Sequence, residues 1–66
     1  MEKLQISLAA ARVNAGMTQE EVAKVMKVGK RTIINWEKGV VTPNAATLHF
    51  LSEIYKLPVD AFLLPK

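Results

Sequence analysis

Five cations, Lys24, Lys27, Lys30, Arg31 and Lys38, fall within fifteen consecutive residues in which Glu37 is the only acid. They make up more than half of the nine Lys and Arg residues in the chain. Interleaved with them are Thr32, Ile34 and Asn35, which offer a hydroxyl, a branched apolar chain and an amide. Such side chains neutralise anionic oxygens and form hydrogen bonds at polar edges; they do not by themselves break bonds. A cationic cluster on a short unit is the footprint of a polyanion binder, or else a plain solvated face. Catalytic chemistry is poorly served. His49 is the only histidine and there is no cysteine, while Glu20, Glu21, Glu37, Glu53 and Asp60 suit helix-cap, ion-pair or surface roles. No paired acid and base emerge, so no enzyme, cofactor or metal site is expected.

The elements that position the cluster can be read from spacing. Thr18 followed three residues later by Glu21 is a capping box, in which each side chain takes the other residue's amide, and it starts a helix. Apolar residues recur at Val22, Ala23 and Met26, break at Lys27-Val28-Gly29, and resume at Ile33 and Trp36. That gives one buried stripe on each of two short helices, the helix-turn-helix pattern, over about 18–38. With Ile33 and Trp36 inward, helical geometry sends Lys30, Arg31, Ile34, Asn35 and Lys38 to the opposite or flanking faces.

Around this unit, Ile6, Leu8, Ala9, Val13 and Met17 predict a first helix over roughly 6–15, with Ser7 able to cap and Gly16 to stop it. Gly39 closes the third helix, and Val40-Val41-Thr42 is extended ahead of Pro43. Asn44 caps a fourth helix over 45–56, marked by Leu48, Leu51, Ile54 and Tyr55. Pro58 opens one last short turn, Val59 to Leu63, and the tail Leu64-Pro65-Lys66 is expected to be loose. The expectation is an all-α chain of five helices with no strand pattern. At 66 residues, half of them apolar, residues 1–66 are expected to form one domain that buries about 60% of its unfolded surface. Met1 to Gln5 do not read as a signal peptide and no run approaches a membrane span, so a cytoplasmic location is expected by default.

The residues from Leu8 to Leu63 resemble the lambda-repressor-like, Cro-type helix-turn-helix regulators. The resemblance rests on the segment from Ala11 to Ala23, the run Thr32-Ile33-Ile34-Asn35-Trp36-Glu37-Lys38-Gly39, then Thr42-Pro43 and the downstream Leu57-Pro58-Val59-Asp60-Ala61-Phe62. It implies a compact five-helix domain whose second helix straddles a phosphate backbone while the third lies in the DNA major groove. Gln19 then matches a glutamine on a phosphate, and Lys30 and Arg31 match positions that touch base edges, where arginine forks onto guanine O6 and N7. Arg12 and Glu37 match a structural salt bridge; the competing assignment puts Arg12 on a phosphate. Lys24, Lys27 and Lys38 suit phosphates, and Gly29 at the head of the third helix belongs to the same DNA-binding set. Asn35 suits a phosphate or an adenine. Thr32 contacts a base or packs on the second helix, and Ile34 meets thymine methyls or is partly buried.

Ile34 and Phe50 stand where the family usually has polar residues, and three helix-boundary positions depart from the family pattern as well. Lys27 stands where the turn usually has glycine, Gly29 where the third helix usually has a capping serine or threonine, and Lys56 where the fourth helix usually ends in glycine. The resemblance also implies a two-fold dimer on a palindromic site, with candidate interface residues Phe50, Leu57, Pro58, Leu63 and Leu64; the opposing reading has Leu57 and Phe62 closing the core. The functional expectation is a phage-type or mobile-element repressor of double-stranded DNA. The alternative is an antitoxin-like protein-binding module with secondary DNA binding.

Overall fold

A computed structural model describes residues 5–64. In chain order it holds β1 (Ile6–Ser7), α1 (Leu8–Asn14), α2 (Gln19–Met26), α3 (Lys30–Lys38), α4 (Ala45–Tyr55), a single 3-10 turn (Val59–Ala61) and β2 (Phe62–Leu63). The readings made for Met1 to Leu4, Pro65 and Lys66 lie outside the described residues.

Local capping chemistry sets the helix starts. Ser7 has extended backbone and its hydroxyl accepts the Ala10 amide at 3.1 Å, so α1 begins after it and Ile6 is left outside the helix. At α2 the Thr18 hydroxyl accepts the Glu21 amide at 3.1 Å, and the Glu21 carboxylate accepts the Thr18 amide at 2.8 Å. The Asn44 side chain accepts the Thr47 amide at 2.8 Å at the head of α4. Gly29 precedes α3 with extended backbone and supplies no side-chain cap.

α2 packs on α3, and α1 packs on both α3 and α4. Leu8, Ala11, Val22, Ala23, Ile33, Trp36, Leu51, Tyr55 and Phe62 form the buried cluster. Its most deeply buried large side chains, Val22, Ile33 and Leu51, come from three different helices. Tyr55 and Phe62 meet edge to face, with ring centroids 6.2 Å apart.

The architecture is all-α in class, with differences from the expected five helices. Residues 59–63 make a 3-10 turn and then an extended pair in place of a fifth helix, because three residues complete one tight turn and Phe62 must swing back to reach the core. β1 and β2 pair in parallel, Ile6 with Phe62 and Ser7 with Leu63. A two-residue strand has no alternation to detect, so no strand pattern was visible. Val13, expected on the buried stripe of α1, is 65% exposed. Five residues beyond Leu8 at about 100° each place it roughly 140° around the helix, facing outward.

The two lysines that stand in glycine positions keep the glycine backbone. Lys27 has φ 59° and Lys56 φ 58°, both left-handed. Each allows the next residue to close the helix: the Val28 amide donates to the Ala23 carbonyl, and the Leu57 amide to the Ser52 carbonyl, both at 3.0 Å. Val28 and Leu57 pack against the core, which holds the strained residue in place. An L side chain in this conformation costs about 1 to 2 kcal/mol. Lys27→Gly is therefore expected to stabilise the fold by about 1 kcal/mol after the larger unfolded-state entropy of glycine is offset, a gain visible as a higher urea midpoint.

Candidate functional site

The face presented by α3 follows from its two buried anchors. Ile33 is 2% and Trp36 is 9% exposed. Lys30, Arg31 and Lys38 are exposed, and Thr32, Ile34 and Asn35 are half-buried. Lys24 and Lys27, on α2 and in the turn, are exposed as well. Among the described residues no intramolecular hydrogen bond or ion pair engages the side chains of Lys24, Lys27, Lys30, Arg31, Asn35 or Lys38. Their donors are unspent. Gly29, at the head of the helix, is exposed, and a Cβ there would meet nothing within 4 Å.

The single acid of this stretch is turned away. Glu37 Oε2 lies 2.7 Å from Arg12 Nε, with side-chain exposures of 8% for Glu37 and 15% for Arg12. Arg12 Nη1 also donates to the Met17 carbonyl at 3.0 Å. Gln19 Nε2 donates to Glu37 Oε1 at 3.0 Å. The clasp thus joins the end of α1, the head of α2 and the end of α3. Neutralising Glu37 inward leaves the outer surface of α3 with positive charge alone.

Gln19 makes a contact that its sequence assignment did not include. Its amide is half-buried and one of its protons is committed to Glu37, so it braces the clasp whatever else it touches. Eighteen residues separate the two partners, and no local spacing rule links them. Arg12, with its guanidinium held by Glu37 and Met17, is not free to serve as an outward cation.

The interface set divides. Leu57 and Leu64 pack against the core, while Pro58 is exposed and Leu63 is 53% exposed. Phe50 is 56% exposed and borders a cleft of about 310 Å³ with Val25, Met26 and Lys27 of the α2 end, none of them from the C-terminal group. Phe62 is 9% exposed and belongs to the core. His49 is an exposed neighbour of Glu53, 3.5 Å away, and no cluster of three metal-ligating side chains occurs among the described residues.

The clasp also reaches an ionisable core group. Tyr55 is 4% exposed; burial first, then the Glu37 carboxylate, push its phenol up to about 12, with Arg12 opposing. In the unfolded chain a tyrosine titrates near 10. The unfolded state loses this proton first, so the stabilisation is complete below about pH 10 and is lost as pH rises towards about 12. The expected loss is on the order of 2 kcal/mol. Urea midpoints of the wild type and Tyr55→Phe, compared at about pH 9 and about pH 11.5, should show the smaller alkaline drop in the variant.

A family profile described as Helix-turn-helix matches residues 8–62. The chain is similar to the cryptic phage CTXphi transcriptional repressor RstR of Vibrio cholerae, 40% identical over 48 residues, covering 73% of this chain and 43% of that protein. It is also similar to the HTH-type transcriptional regulator ImmR of Bacillus subtilis (strain 168), 36% identical over 56 residues, covering 85% of this chain and 44% of that protein. The matched region spans less than half the length of either relative. No helix among the described residues is long and apolar enough to cross a membrane.

Proposed function

The chain belongs to the lambda-repressor-like helix-turn-helix family, and we propose that residues 1–66 act as one sequence-specific DNA-binding unit of a transcriptional regulator, a phage-type repressor that occupies a palindromic operator as a homodimer. The observation that carries this reading is the outer face of α3, where Lys30, Arg31, Asn35 and Lys38 have no partner within the described fold while the neighbouring acid is neutralised from behind.

In this mechanism α3 enters the major groove. Arg31 forks onto a guanine and Lys30 reaches a neighbouring acceptor, which supplies sequence preference. Lys24 and Lys38, with the remaining proton of Gln19, hold phosphates and fix the register, as do the amides around Gly29; they raise affinity for every sequence alike. Thr32 and Asn35 complete the face. Regulation follows from occupancy, since a bound repressor excludes other proteins from the same DNA.

A two-fold dimer through the exposed Pro58 and Leu63, with Leu57 and Leu64 beneath, or through the separate Phe50 cleft beside the end of α2, would present two copies of α3 about 34 Å apart, one helical turn of DNA. The exposed Phe50 cleft also favours a second reading, a protein-binding module in which DNA contact is secondary. The names of both relatives favour the regulator. Selection of bound sites from a random duplex pool tests the proposal. A palindrome with half-sites one turn apart is the expected result; recovery of no preferred sequence would contradict it.

A further inference from the structure

Ile34 stands out on the α3 face. It is half-buried, yet it belongs neither to the buried core nor to the partly buried apolar side chains packed against that core. Its helical neighbours at i−4, i−3 and i+4 are Lys30, Arg31 and Lys38, all exposed. An isoleucine amid three cations gains nothing from a phosphate and forms no hydrogen bond. It gains only where an apolar group displaces water from it.

Along the floor of the major groove the base edges offer one such group, the 5-methyl of thymine. We propose that Ile34 is a specificity-determining residue that reads a thymine methyl beside the guanine gripped by Arg31, an inference that rests on the DNA-regulator reading above. Three residues of α-helix rise about 4.5 Å, against about 3.4 Å per base step. The thymine therefore lies one or two base pairs from the guanine. Cytosine at that place is disfavoured twice: it lacks the methyl, and its amino donor would face an alkyl chain without an acceptor.

The test replaces each thymine of a selected half-site, one at a time, by deoxyuridine, which removes the methyl and leaves the pairing unchanged. For the unaltered chain, one thymine within two base pairs of the Arg31-dependent guanine should show a loss of about fourfold in affinity, the value of one buried methyl group. Ile34→Ala should bind the thymine and uracil duplexes alike while keeping its preference for the guanine. Insensitivity to uracil at every position, with guanine preference intact, overturns the role of Ile34 alone. Uracil sensitivity that persists in Ile34→Ala also overturns it. A chain that binds selected and random duplexes equally overturns the regulator reading and takes this inference with it. The uracil arm uses the unaltered chain, so insensitivity there overturns the role of Ile34 even if Ile34→Ala does not fold. In that case Ile34→Thr, which keeps the branched shape but puts a hydroxyl in place of a methyl-bearing arm, takes its place, and full uracil sensitivity in that variant overturns the role as well.

Discussion

Arg12→Ala is expected to cost about 3 to 5 kcal/mol of folding stability, the toll of leaving a buried charge without its partner. The Glu37 carboxylate is 8% exposed, and after the substitution it keeps only the Gln19 amide. The Met17 carbonyl loses its donor in the same step. For 66 residues the whole stability is about 3 to 10 kcal/mol, so much of the variant population should be unfolded at room temperature. The net value of the intact pair is a separate quantity, because both groups were desolvated to form it. A paired replacement, Arg12→Met with Glu37→Leu, should therefore recover most of the loss, since no buried charge remains. Urea denaturation followed by circular dichroism measures both. A cost below about 1 kcal/mol for Arg12→Ala would show that the pair behaves as a solvated surface bridge.

Arg31→Ala is expected to remove about 1 to 3 kcal/mol from binding to a selected operator and almost nothing from binding to a random duplex. Arg31 is exposed and carries no intramolecular bond within the described fold, so its loss leaves the core and the clasp untouched. The contrast is Lys24→Ala. A phosphate contact carries no base information, so that variant should weaken selected and random duplexes by the same factor and lower the slope of log affinity against log salt by about 1. The two variants separate reading from holding on one surface.

How much of this was legible before the structure depends on the range of each interaction. Caps were readable because their partners lie three residues apart: Thr18 with Glu21, Ser7 with Ala10 and Asn44 with Thr47. The outward set on α3 followed from Ile33 and Trp36 by helical period alone. Arg12 and Glu37 are 25 residues apart, and only resemblance to a family paired them. The Gln19 link to Glu37 was missed altogether, because an amide at the head of α2 suits solvent, phosphate or carboxylate equally well. The β1 and β2 pairing was missed for want of any period in two residues. At Lys27 the residue type argued against a left-handed turn, and core packing of Val28 overrode it. Phe50 was grouped with the C-terminal apolar residues by hydrophobicity, whereas its cleft is shared with the end of α2.

The central claim is that the outer face of α3 reads DNA sequence through Arg31. Fluorescence titration of one selected and one random duplex, with the wild type and Arg31→Ala at a single salt concentration, tests it most directly. The predicted result is a ratio of selected to random affinity that falls by about 5- to 150-fold in the variant while the random affinity holds nearly constant. An unchanged ratio in a folded Arg31→Ala would contradict the account.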